Sequence, residues 1–139
     1  MRDIVVSKQR IYMTINTWIQ KGDVMEKVDI FEIHADFCKT LSHAKRLMIL
    51  ALLAKGEKSV GEIAEGIDVP LSNVSQHLSV LKSQNLVRTR KDGQTVYYSL
   101  ADRRIIEACT LIRSVLLDLM KERGMVAQEI DPKYVVTGA

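Results

Sequence analysis

Two short stretches hold the residues whose types and spacing invite chemistry with a partner. Between residues 71 and 84, Ser72, Asn73, Ser75, Gln76, Ser79 and Ser83 supply hydroxyl and amide groups. At helical spacing the serines and Gln76, flanked by Asn73 and His77, fall opposite Leu71, Val74, Leu78 and Leu81, which line one narrow apolar stripe. A helix that enters the major groove of DNA needs short polar groups facing the bases and an apolar stripe holding it from behind. Gln76 is the first candidate for base reading, because a carboxamide can bond an adenine edge at two points; Asn73 is the second. Ser72, Ser75 and Ser79 suit phosphates or base edges, and His77, at the edge of the stripe, reads as a structural residue. An amphipathic helix with solvated serines would show the same pattern, so the neighbouring segments decide.

The second stretch is basic. Between residues 70 and 100 stand Lys82, Arg88, Arg90 and Lys91 against a single acid, Asp92, in a chain whose net charge is +3. Residues 86–91 and 94–100 alternate in polarity and are joined by Asp92-Gly93, which predicts a type I′ hairpin with positive φ at both central residues. Arg88, Arg90 and Lys91 would lie along that hairpin, with Gln94, placed to pair with phosphates or enter a minor groove.

These stretches need a scaffold. Residues 26–41 read as a helix in which Ile30, Phe31, Ile33, His34, Ala35, Phe37, Cys38 and Leu41 are apolar or near-apolar. They cover an arc of roughly 200°, wider than one packing surface requires. A second helix begins at Ser42 or His43; its run from Leu47 to Leu53 is apolar nearly all round, the mark of a central buried helix, and Gly56 ends it. Ser59 caps a short helix with Glu62 as its capping-box partner, Val60, Ile63 and Ala64 face inward, and Gly66 is expected to close it. Residues 67–70 form a tight turn, with Pro70 near the first position of the polar-faced helix. The last helix, 101–123, again spans roughly 200° of apolar arc. The order of short helix, tight turn, helix and basic hairpin predicts a mainly α winged helix-turn-helix with a β-hairpin wing. Residues 1–24 are expected to be an N-terminal extension, 25–123 the domain and 124–139 a flexible tail. The extension is either an arm packing Ile11, Tyr12, Ile15 and Trp18 or a stretch preceding a start at Met25.

Composition narrows the function classes. With 47% hydrophobic and 27% charged residues in 139, the chain reads as an ordinary globular domain. No apolar run approaches the ~20 residues needed to span a bilayer. Residues 11–19 are interrupted by Thr14, Asn16 and Thr17, so no secretory signal is expected and cytoplasmic residence is. Two cysteines are too few for a disulfide scaffold. An enzyme finds no support: His34, His43 and His77 are scattered, and neither a glycine-rich phosphate loop nor a recognisable carboxylate pair occurs. No cofactor is expected. The alternative is a winged helix used as a protein-interaction module, which would lack salt-dependent affinity for duplex DNA.

The segments LSHAKRLMILALLAKGEKSVGEIAEGI, VPLSNVSQHLSVLKSQNLV and VRTRKDGQTVYYSL resemble the ArsR/SmtB family of prokaryotic repressors, most specifically in VSQHLSVL and in Asp92-Gly93 followed by Tyr97-Tyr98. The resemblance implies a homodimer built from the first and last helices, which would account for both wide arcs. It implies two copies of the 71–84 helix reading a palindromic operator in double-stranded DNA, and release by an effector. Many members respond to metals at one of two sites. At the paired-cysteine site this chain has Ser59 and Gly61; at the last-helix site it has Asp102, Arg104, Val115 and Asp118. Arginine and valine ligate no metal, so neither site is expected to be present. Cys38 and Cys109 remain, with His34 one turn before Cys38. They are read as small buried hydrophobes, as a thiol switch between helices that meet in the dimer, or as ligands of a soft metal or metalloid. Sulfur-responsive relatives place their first cysteine nearer Ala51, so that likeness does not carry over cleanly.

Overall fold

A computed structural model describes residues 30–124. The expected extension over 1–24 lies outside the described residues, as do the start of the expected domain and first helix over 25–29 and the expected tail beyond Gly124. The elements run α1 (Ile30–Leu41), α2 (Ala44–Leu53), β1 (Lys58–Ser59), α3 (Val60–Ile67), α4 (Leu71–Ser83), β2 (Val87–Asp92), β3 (Thr95–Leu100) and α5 (Arg103–Glu122). Among the described residues no helix is long and apolar enough to cross a membrane.

The core forms where α2, α3 and α4 meet. Ile49 and Leu50 of α2, Ile63 of α3, and Val74, Leu78 and Leu81 of α4 are sealed from solvent, with Leu53, Ile67, Leu86, Val87, Ile106 and Cys109 buried around them. Each such side chain is stabilised by roughly 1.5–3 kcal/mol relative to exposure. Local chemistry sets the helix ends. The His43 side chain accepts from the Lys45 N–H at the start of α2. Ser59 and Glu62 close the expected capping box on α3, each accepting the other's backbone N–H at 3.2 and 2.7 Å.

Gly66 does not close α3. The helix continues through Ile67, and Asp68 ends it in the left-handed region at φ 52°. The glycine instead serves packing, since a Cβ there would stand 2.7 Å from Leu52 Cδ2 of α2. Asn85, at φ 58°, makes the corresponding left-handed turn between α4 and β2, where an asparagine tolerates it.

The sheet has three antiparallel strands in the order β1-β3-β2. The two-residue β1, pairing Lys58 with Tyr98 and Ser59 with Tyr97, escapes sequence periodicity because it is too short to alternate. In the hairpin, Asp92 pairs with Thr95, so the turn residues are Gly93 and Gln94 rather than Asp92 and Gly93. Positive φ occurs at Gly93 alone (61°), the pattern of a type II′ turn, and Asp92 remains in the ladder.

The outer helices are barely buried by the protomer. On α1, Phe37 and Leu41 pack on the core while Ile30 and Phe31 face solvent, Phe31 at 77% exposure. On α5 only Ile106 and Cys109 are buried; Leu111, Ile112, Val115, Leu116 and Leu119 are between 45% and 67% exposed.

Candidate nucleic-acid interface

Helix α4 follows a loop whose Pro70 stands at the cap position, offering no side-chain cap but presetting the first turn. Val74, Leu78 and Leu81 anchor it with no exposed surface at all. Its outer face carries Ser72, Asn73, Ser75, Gln76 and Ser79, all exposed. The structure therefore brings together every α4 residue expected to meet a partner. Ser83 differs, because its hydroxyl donates to the Val80 carbonyl at 2.7 Å.

Leu71 departs from the expected stripe. It is 56% exposed, lying at the first helical position and roughly 50° off the centre of the buried Val74–Leu78–Leu81 line. An exposed leucine at the opening turn adds an apolar group to a polar reading face, and the sequence hid it inside an apparently continuous stripe. Val80, 38% exposed, adds a second near the helix end.

His77 is partly buried, with its ring centroid 4.5 Å from that of His43 at the start of α2. Burial lowers the His77 pKa from 6.5, and the charges of His43, Arg46 and Lys45 push it the same way. This supports the structural role expected of His77, tying the polar-faced helix to α2.

In the wing, Arg88, Arg90, Lys91 and Gln94 are all exposed. Arg88 and Arg90 share one face of β2 and Lys91 points to the other, as strand alternation requires. Arg90 is engaged within the protein. Its Nε donates to both carboxylate oxygens of Glu57 at 3.1 and 3.2 Å, and its Nη2 donates to Oε1 at 2.7 Å. The guanidinium lies 4.7 Å from the Tyr97 ring centroid, and Asp92 is 3.8 Å away. Those hydrogen bonds hold the Glu57 carboxyl below its ordinary range and raise the Arg90 pKa. Sequence reasoning placed Arg90 with the other wing cations because no local pattern couples it to a residue 33 positions away. Among the described residues, Arg88 and Lys91 form no ion pair.

The positions that the resemblance links to metals are occupied by other chemistry. Ser59 caps α3. Asp102 caps α5 and accepts from Arg104 Nη2 at 2.6 Å, an interaction that brings its carboxyl down to about 2. Among the described residues, no three His, Cys, Asp or Glu side chains are grouped so as to hold a metal ion. Both cysteines are free thiols, Cys38 exposed on α1 and Cys109 buried on α5. Burial pushes the Cys109 thiol pKa up, Arg113 opposes this, and Cys38 is close enough to add to it.

Residues 43–89 match the sequence model for the bacterial regulatory protein, arsR family. The chain is 36% identical over 107 residues to the uncharacterized HTH-type transcriptional regulator Rv0081 of Mycobacterium tuberculosis, covering 76% of this chain and 94% of that protein. It is 38% identical over 104 residues to the nodulation protein NolR of Rhizobium meliloti, covering 73% and 85%. The crystal structure of Rv0081 superposes with a TM-score of 0.63 over 70% of this chain and 98% of that one. The solution structure of the homodimeric winged helix-turn-helix DNA-binding domain of Mycobacterium bovis Mb0332 is 34% identical, covers 68% of this chain and 88% of that one, and gives a TM-score of 0.59.

Proposed function

This chain belongs to the bacterial ArsR family of winged helix-turn-helix, DNA-binding transcription regulators, and from that premise we propose that it is a homodimeric repressor whose two α4 helices read a palindromic operator. The observation that carries this reading is the two-sided character of α4. Three side chains without exposed surface lock one side, and an exposed row of serines, Asn73 and Gln76 forms the other. A helix so anchored can present short donors and acceptors to base edges without reorganising. Gln76 and Asn73 read bases, Ser72, Ser75 and Ser79 contact phosphates or base edges, and Leu71 offers an apolar contact suited to a thymine methyl group. Arg88, Lys91 and Gln94 bind the backbone from the wing.

The apolar strips of α1 and α5 support the dimer, since exposed faces of this extent mark an interaction surface. A winged helix serving only as a protein-interaction module would have no use for a polar, aromatic-free α4 face beside a basic wing. Zinc or cadmium is not the effector at either common family position, because Ser59, Gly61, Arg104 and Val115 occupy them. Effector chemistry among the described residues rests on the thiols. A thiol-reactive agent meets exposed Cys38 first, and reaches Cys109 only when α5 shifts.

The test is a binding titration with duplex DNA from the protein's own promoter region, set against random duplex. Tight, sequence-selective binding that weakens steeply with salt is expected; equal affinity for both duplexes would sink operator recognition. A Cys38→Ser, Cys109→Ser double variant should bind DNA normally and ignore oxidant or persulfide. An unchanged response in that variant would remove both thiols from the response and leave Cys109 to core packing, and tight inhibition by zinc would reveal a metal site elsewhere.

A further inference from the structure

Glu57 and Arg90 sit at opposite edges of the sheet. Glu57 immediately precedes β1 and Arg90 lies on β2, with β3 between them. Arg90 pairs across the ladder with Tyr97, and Tyr97 pairs on its other side with Ser59. The arginine side chain therefore crosses the middle strand over the Tyr97 ring and meets Glu57 on the far side. Two strand spacings, about 10 Å, are bridged by one forked ion pair. The bridge ties the wing to the strand that leads directly into the capping box of α3, and α3 packs against α4.

We propose that Glu57 is a positioning residue for DNA reading: it holds the Arg90 guanidinium across the sheet as a brace for the wing, leaving Arg88 and Lys91 as the wing's phosphate-binding cations. The inference rests on the DNA-binding reading above and gives a task of its own to Arg90, the third cation of the wing. A phosphate that captured Arg90 would have to replace both carboxylate oxygens of Glu57 and the Tyr97 ring face. It would also strand the Glu57 carboxylate beside the same polyanion. Arg88 and Lys91 are not forked onto a carboxylate: neither forms an ion pair among the described residues, and Asp102, whose charge Arg88 feels, is already held by Arg104.

Counterion release makes the proposal measurable, because each phosphate contact contributes about 0.9 to the slope of log affinity against log salt. Fluorescence anisotropy with a promoter-region duplex would be followed through a salt series for the intact protein and its variants. Arg88→Ala and Lys91→Ala should each reduce the slope by about one per protomer. Arg90→Ala should leave it unchanged. Glu57→Ala should steepen it by about one per protomer, because Arg90 is released to the DNA, and adding Arg90→Ala should restore the original slope. Arg90→Lys, which keeps the charge but loses the fork, should steepen it as Glu57→Ala does. Hydrogen exchange should show lost protection at the Ser59–Tyr97 pair in both Glu57→Ala and Arg90→Ala. A slope reduced by Arg90→Ala as much as by Arg88→Ala, together with no change in Glu57→Ala, would overturn the brace while leaving DNA binding intact. Intact protein that binds DNA without salt dependence would overturn the DNA reading and this inference together.

Discussion

The α2–α3–α4 unit and the α1/α5 pair use similar apolar residues to opposite ends. In the first, Ile49, Leu50, Ile63, Val74, Leu78 and Leu81 are enclosed within one protomer, so the polar face of α4 has a rigid backing. In the second, Ile30, Phe31, Leu111, Ile112, Val115, Leu116 and Leu119 remain open. The difference separates a region that is finished by its own chain from one that needs a second surface. Rigidity belongs where, as proposed, bases are read. On the proposed reading, incompleteness belongs where copies meet, and a shift in that contact would change the spacing of two reading helices.

The largest effect should come from charging the open region. Ile112→Asp or Leu116→Asp would place two unpaired carboxylates, one from each copy, in a shared apolar face, costing association roughly 5 kcal/mol or more. Because both positions are exposed in the protomer, the monomer should keep its fold. Sedimentation should report folded monomers, with operator binding lost. A DNA-competent dimer from both variants would place the interface elsewhere.

Leu78→Ala attacks the closed region. Its side chain is fully buried, so the loss should be about 2–5 kcal/mol of stability, read from chemical denaturation. A loss comparable to that of an exposed α5 leucine would show that the α4 backing is looser than its burial implies.

Gln76→Ala tests what the backing is for. It should cost about 1–3 kcal/mol on operator DNA and little on random duplex, with unchanged stability. Equal losses on both DNAs would remove its base-reading role.

The smallest effect is a pH dependence at the joint between α2 and α4. Burial, with His43, Arg46 and Lys45 nearby, lowers the His77 pKa in the folded state. A base whose folded pKa is depressed contributes fully above its unfolded value of about 6.5 and loses that contribution as pH falls toward the folded value. Stability should therefore decline below about pH 6.5, and His77→Gln should flatten this part of the profile. An identical profile in the variant would assign the decline to other groups.

Much of this molecule was legible before folding. The Ser59–Glu62 box, the anchored α4 and the basic hairpin depend on residues within a few positions of one another, where helical and strand periodicity and capping chemistry operate. The wide arcs of α1 and α5 also signalled a second surface, because the apolar width of a helix is a property of its own sequence. Where local reading failed, a distant neighbour had intervened. Gly66 looked like a helix stop, yet it is small because Leu52 of another helix approaches it. Leu71 matched the buried stripe in spacing, but no packed element covers it. The turn moved one residue because the β2–β3 ladder kept Asp92 paired with Thr95, and β1 exists only through its partner strand.

By itself the sequence determined the succession of elements, the polarity of each face and the chemical types available for DNA, all set by interactions over one or two turns of chain. Only the tertiary structure decided which of those groups are at liberty to act. Arg88, Arg90 and Lys91 are equivalent cations in sequence, but folding brings Glu57, 33 residues from Arg90, within 2.7 Å of one of them. Coulombic attraction and a planar fork act through space, and nothing in the spacing along the chain encodes that distance.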